Sequence, residues 1–250
     1  MTENTAHSKK RKWWFRLMKK LMLGRYKKPE FRYLGKEITT SAIILSNHEG
    51  TDAPMSLELY LDKPIRMWGA GEMNSGVVEL YKYQTKVYYH EKKHWNIHLA
   101  RLFCLIASPI TNLFYKGLDL ISTWHDVRFV KTLRESVRSI EEGDNIVIYP
   151  EVSDNGYLAE LEGFHAGFVS LCDTLLRRGI DVDIFVTYFK KDELLYIIDA
   201  PVRYSEVKAG CQSREEIATK LLERCNALGR GEYQWPPVTE TSEHTTTVTA

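Results

Sequence analysis

Seven residues, Ser46-Asn47-His48-Glu49-Gly50-Thr51-Asp52, bring an imidazole and carboxylates together directly after the apolar run Ala42-Ile43-Ile44-Leu45. Residues four apart share a face of a helix, so His48 and Asp52 can meet if a helix starts there. A histidine oriented by a carboxylate is a recurring device for removing a proton from a hydroxyl. Taken alone, the same pair also describes a strand-to-helix turn in which His48 hydrogen-bonds locally. A hundred residues on, Asn145-Ile146-Val147-Ile148-Tyr149-Pro150-Glu151 has the same form, an apolar run that breaks at a carboxylate.

Both segments need elements to hold them. Short β-like runs at Phe31–Leu34, Ala42–Ser46, Ile65–Gly69, Lys86–Tyr89, Asn145–Tyr149, Val182–Tyr188 and Leu194–Asp199 read as strands. Helical patterns fall between them, at Ala53–Leu61, Asn74–Tyr83, Trp95–Leu113, His125–Glu142, Leu158–Arg178 and Arg214–Leu228. This alternation predicts an α/β domain with a mostly parallel sheet flanked by helices. Chemistry in such sheets collects at the carboxyl ends of strands, where Asn47-His48 and Pro150-Glu151 both fall.

With 250 residues and 44% hydrophobic content, the chain can bury one substantial core. No uninterrupted apolar run reaches the length of an ordinary spanning helix. Leu102–Tyr115 comes nearest, but Ser108, Pro109, Thr111 and Asn112 interrupt it, so a buried or interfacial helical hairpin is expected there. The first residues lack a secretory pattern. Cys104, Cys172, Cys211 and Cys225 are scattered without CxxC spacing, which predicts reduced thiols and no structural zinc. His90, His94 and His98 are four apart but have no evident fourth ligand, and Lys92-Lys93 between them would repel a cation; no metal is expected. Gly69-Ala70-Gly71 lacks the spacing of a nucleotide loop. Met67-Trp68 and the tyrosines Tyr81, Tyr83, Tyr88 and Tyr89 read as packing residues.

The net charge of +1 hides an asymmetry. Residues 1–28 hold ten Lys/Arg against Glu3, leaving 24 basic and 32 acidic residues in the remainder. In this arm Trp13, Trp14, Leu17, Met18, Leu21 and Met22 fall at helical spacing, with Lys12, Arg16, Lys19 and Lys20 on the other side. That is the pattern of a helix lying in a membrane interface; a terminal helix packed on the body, with its basic side solvated, fits the same residues. A nucleic acid is not the expected partner, because the apolar residues form a stripe and are not interleaved as stacking platforms. The organisation that follows is a membrane-associating arm over residues 1–30, an α/β domain over 31–231 and a disordered Thr-rich tail over 232–250.

Four blocks occur in order: Ser46 to Asp52; Lys63-Pro64-Ile65-Arg66-Met67-Trp68-Gly69-Ala70-Gly71-Glu72-Met73; Asn145 to Glu151; and Gly163-Phe164-His165-Ala166-Gly167-Phe168. Together they resemble the glycerolipid (1-acylglycerol-3-phosphate, or lysophosphatidic acid) acyltransferase family over about residues 40 to 190. The resemblance implies an acyltransferase in which His48 is the general base and Asp52 holds the imidazole. Glu151 and Pro150 would then belong to the acceptor-binding block, with Asn47, Lys116 and Gly117 as further substrate-binding residues. Acyl-CoA or acyl carrier protein would be the co-substrate, with no cofactor, and the protein would sit peripherally on the cytoplasmic side of a membrane. The chain departs from the family pattern at several points. Three residues, not four, separate His48 from Asp52; Val152-Ser153-Asp154 follows Glu151 where Gly-Thr-Arg is usual; and His165 replaces a lysine. Tyr115-Lys116-Gly117-Leu118-Asp119-Leu120-Ile121 is the nearest match to the phosphate-holding block and has no arginine, leaving Lys116, Arg66 and Arg128 as nearby cations. Two other functions fit the same residues: a membrane-surface binding protein that has lost catalysis, and a hydrolase activating water on an ester or thioester. No Gly-x-Ser-x-Gly elbow supports a serine esterase.

Overall fold

The structure is a computed structural model that describes residues 13–233. Lys9 to Lys12 of the basic arm and nearly all of the Thr-rich tail lie outside the described residues. Among the described residues, helix α1 (Trp13–Met22) comes first, followed by β1 (Glu30–Tyr33), β2 (Ile43–Ser46), α2 (Asp52–Tyr60) and β3 (Ile65–Ala70). A helical excursion comes next: α3 (Gly71–Asn74), α4 (Val77–Tyr83), a π-helix (Gln84–Lys92) and the long α5 (Ile97–Leu118). The chain continues through β4 (Ile121–Thr123), α6 (Phe129–Glu141), β5 (Asn145–Ile148) and α7 (Gly167–Arg177). It ends with β6 (Asp183–Lys190), β7 (Leu195–Ile198), β8 (Val202–Arg203), α8 (Tyr204–Ala209) and α9 (Arg214–Arg230).

One sheet runs in the order β1-β7-β6-β2-β5-β3-β4, with β8 also pairing β6. Every pairing is parallel except β6 with β7 and β6 with β8. The architecture is therefore the mostly parallel α/β sheet that the alternating pattern predicts. Its central strands are apolar throughout because helices cover both faces, and side chains divide between those faces with a period of two. Ile43, Leu45, Ile146, Ile148, Ile184 and Val186 meet α6, α7 and α9 on one side. Ile44, Val147 and Phe185 share the other side with Phe15 of α1, Ala53 and Leu57 of α2, and Leu118 of α5.

Several elements differ from expectation. Lys86–Tyr89, with its β-type Val87-Tyr88-Tyr89, lies inside the π-helix. Gln84 opens that helix and accepts a hydrogen bond from Ser108 of α5 at 2.7 Å, so packing against a helix decides the conformation there. The predicted helical hairpin at Leu102–Tyr115 is part of one continuous helix, which is long and apolar enough to cross a membrane. Pro109 is accommodated on its exposed side, and the Thr111 hydroxyl donates back to the Ala107 carbonyl at 3.0 Å. The helical pattern expected from Leu158 begins only at Gly167, because the preceding chain is a loop bridged to Glu151. The short β4, β8 and α8 have too few residues to show periodicity.

Helix α1 docks through a residue outside its predicted stripe. Phe15 is fully buried, and Lys19, one turn later, donates to the Glu58 carbonyl at 2.6 Å and pairs with its carboxylate at 3.0 Å. Trp13, Leu17 and Leu21 point outward. The Phe15 ring lies flush on Gly117, where any β-carbon would collide with it. Gly117→Ala therefore sets a helix-propensity gain of about 1 kcal/mol against an overpacking cost of about 1–3 kcal/mol. The expected result is a lower denaturation midpoint, partly restored when Phe15→Leu is added. A Gly117→Ala protein at least as stable as the parent would show that α1 does not pack on α5 in this way.

Candidate functional site

β2 and β5 are parallel neighbours, and their exits diverge. From β2 the chain passes to α2 on one face of the sheet, whereas from β5 it passes through a loop to α7 on the other. A parallel sheet opens a crevice at the carboxyl ends of two such strands. The two chemical segments of the sequence meet at this crevice.

Asn47, the first residue past β2, is buried. Its Oδ1 accepts from the Phe189 N–H at 2.7 Å, and its Nδ2 donates to the Phe189 carbonyl at 3.1 Å. The side-chain amide thus extends the β2–β6 ladder by one rung and fixes the point where the chain leaves the sheet. These bonds go to the Phe189 backbone, and the Ser46 hydroxyl donates to the same Oδ1 at 3.5 Å, so the contribution of Asn47 to the site is positional. The next residue is His48, whose backbone N–H donates to Oε2 of Glu151 at 2.9 Å. The His48 ring lies against Tyr149, with centroids 5.0 Å apart at 54°, and against Tyr157, 5.0 Å apart at 23°. Burial pushes both phenols to higher pKa, with nearby phenols and Glu151 or Glu58 adding to the effect, so both stay protonated and can donate.

Glu151 is itself held by backbone. It bridges to Phe164, the Val152 N–H donates to the Gly163 carbonyl at 2.9 Å, and the His165 N–H donates to the Pro150 carbonyl at 2.7 Å. These bonds close residues 152–163 into a loop that brings Tyr157 back onto His48. Pro150 has no N–H to satisfy as the strand ends, and its carbonyl is one of the staples.

The short spacing between His48 and Asp52 has a local cause. Glu49 (φ 42°) and Gly50 (φ 65°) are both left-handed, and the Asp52 N–H donates to the Glu49 carbonyl at 3.2 Å. This tight turn makes Asp52 the first residue of α2, where the helix dipole favours a carboxylate. Its Oδ2 is 2.8 Å from Nζ of Lys191 in the β6–β7 connection. The hydrogen bond with Asp52 raises the Lys191 pKa; burial raises that of Glu49, and Lys191 partly offsets the rise.

Lys191 is therefore a cation at the crevice, a role the sequence reading did not give it. The available signal was Lys190-Lys191 at the end of an apolar β run. The cations named from sequence lie elsewhere or are engaged. Arg66 sits near the start of β3, bonded to Ser139 at 2.8 Å and to Glu135 at 2.6 Å. Arg128 lies 3.6 Å over the Trp124 ring and pairs with Asp126 at 2.7 Å. Lys116 is exposed in the last turn of α5, and Gly117 belongs to the α1 contact. His90, His94 and His98 do not share one helix: His90 is in the π-helix, His94 has φ 55° and His98 is in α5. Among the described residues no group of His, Cys, Asp or Glu has the arrangement to hold a metal ion.

The crevice thus gathers an imidazole, two carboxylates, an ammonium group and two protonated phenols at the ends of β2, β5 and β6. Such a set can accept a proton, hold a hydroxyl and balance one negative charge. No family model matches the chain, and no curated protein matches it. Among solved structures, the fold is similar to the crystal structure of the 1-acyl-sn-glycerophosphate (LPA) acyltransferase, PlsC, from Thermotoga maritima. The two share 12% sequence identity over 89% of this chain and 80% of that one, with a TM-score of 0.48.

Proposed function

We propose that the protein is a membrane-associated acyltransferase that moves a fatty acyl group from a thioester of coenzyme A or acyl carrier protein to a hydroxyl of a lysophospholipid or related lipid. The observation that carries this reading is the hydrogen bond from the His48 N–H to Glu151 at 2.9 Å, which joins the two motif blocks across 103 residues. In this mechanism the acceptor hydroxyl oxygen attacks the thioester carbonyl carbon while His48 takes its proton. The carbon–sulfur bond then breaks, and the leaving thiolate takes the proton back from the imidazolium. Asp52, whose carboxylate pairs with Lys191, adds negative charge one turn on from His48, and Glu151 fixes the segment bearing His48. Tyr149 and Tyr157 set the plane of the ring. The basic arm keeps the protein at the cytoplasmic surface of a bilayer, where both acyl-chain substrates reside.

The test is thiol release from acyl-CoA in the presence of lysophosphatidic acid, then of other lyso-lipids. Removing a general base costs about 10²–10⁴-fold, so His48→Ala should fall by at least that lower figure, while Tyr157→Phe keeps the ring stack and most of the activity. Equal, background-level release by the parent and His48→Ala across the panel would leave a binding protein. Free fatty acid formed without any acceptor would mark a hydrolase.

Lys191 is the crevice cation available to an anionic acceptor. Charge-assisted hydrogen bonds contribute about 1.5–3 kcal/mol, so Lys191→Ala should raise KM for a phosphate-bearing acceptor by roughly tenfold or more while leaving KM for a neutral monoacylglycerol nearly unchanged. Equal changes for both acceptors would assign Lys191 to the Asp52 pair alone.

A further inference from the structure

Helix α5 has the polarity of a soluble helix reversed. Ala100, Cys104, Ser108 and Asn112, each four residues from the next, form its buried face together with Gly117 and Leu118. Leu99, Leu102, Leu105, Ile106, Ile110 and Leu113 are between 48% and 70% exposed on the other. A soluble amphipathic helix turns its apolar stripe inward. Small and polar residues at the helix–helix contact, with large aliphatics outside, are the arrangement of helices that have lipid as solvent. The polar contacts between α5 and the π-helix fit this pattern. The Ser108 hydroxyl donates to Gln84 Oε1 at 2.7 Å, and Gln84 Nε2 donates to Thr111 Oγ1 at 3.1 Å.

We infer that the outward face of α5 is embedded in one leaflet of an anionic lipid bilayer, continuous with the exposed Trp13-Leu17-Leu21 stripe of α1. This rests on the membrane-associated reading above but not on its chemistry. The two helices are joined directly: Phe15 packs on Gly117, and the Phe15 and Phe114 rings are 5.6 Å apart. At about 1.5 Å per residue, the 22 residues of α5 extend about 33 Å. Length alone would allow a crossing, but one face of the helix is held by protein along its course, so it lies in the leaflet.

Charge selects the occupant. Besides Lys19, which is held by Glu58, residues 13–29 offer Arg16, Lys20, Arg25, Lys27 and Lys28 without one Asp or Glu, and residues 97–118 hold Arg101 and Lys116, also without an acid. Such a rim suits anionic headgroups. A two-fold pairing with a second copy would bring equal basic rims together, which opposes self-association. Arg101 is on the exposed side, and its stem is long enough to carry the guanidinium to headgroup depth.

The full chain should co-float with vesicles of phosphatidylcholine and phosphatidylglycerol, and brominated acyl chains should quench its tryptophan fluorescence. Leu102→Glu with Ile106→Glu places two carboxylates in the leaflet, and partitioning should fall by at least about tenfold. Both positions are exposed, at 65% and 70%, so circular dichroism and Tm should match the parent. Charge reversal at Lys20, Lys27 and Lys28 should weaken binding to anionic vesicles only, and most at low salt. Unchanged partitioning of the double glutamate variant would overturn the inference. So would a parent that sediments as a dimer, ignores vesicles and becomes monomeric on the same substitutions. Vesicle binding and thiol release are separate readouts, so bound protein without chemistry rejects the acyltransferase reading alone, and chemistry without α5-dependent binding rejects this inference alone.

Discussion

A carboxylate taken out of water needs donors, and Glu151, almost fully buried, meets that need with the N–H of His48. A hydrogen bond to a charged group contributes about 1.5–3 kcal/mol; its larger effect is geometric. It ties the end of β5 to the residue that follows β2, and it forms only because the two strands are parallel neighbours in register. Without that pairing the imidazole, the tyrosine stack and the loop that carries Tyr157 have no common frame.

The opposite exits of β2 and β5 give each wall of the crevice a separate foundation. α2, with Asp52 at its start, rests on the sheet face lined by Ile44 and Val147, and α7 rests on the face lined by Ile43 and Ile146. Asn47 adds the third wall by bonding to Phe189, so the turn after β6 brings Lys191 to Asp52. Three strand ends and two helix layers are therefore coupled through a few short polar contacts. Left-handed Glu49 carries the local strain, and Gly50 beside it takes a positive φ freely, so that a three-residue link reaches the helix.

The sheet could be read from sequence because parallel strands buried on both faces leave unbroken apolar runs. Ile43–Leu45, Ile146–Ile148 and Ile184–Val186 show this plainly. His48 and Glu151 could be read because each ends such a run. The helical excursion could not. Val87-Tyr88-Tyr89 has β propensity, but its fate is set by contact with α5, a partner invisible to local pattern. Ser108, Thr111 and Asn112 looked like breaks in an apolar segment, when they are its protein-facing side. The Lys191–Asp52 pair escaped notice because it joins residues 139 apart in the chain through a turn with no motif of its own. At the end of β4, Trp124 lies over Gly71 and carries Arg128 on its face.

The contact between Phe15 and Gly117 also orders events during synthesis. α1 leaves the ribosome ahead of its seat on α5, which lies 102 residues later in the chain. At about 5–20 residues per second, the helix spends roughly 5–20 seconds outside with Trp13, Phe15 and Leu17 uncovered. Its earliest partner is therefore whatever apolar surface the surroundings offer, and only later its own fold. A chain that settles on lipid in that interval would complete its sheet already held at the surface, with α5 emerging next to it.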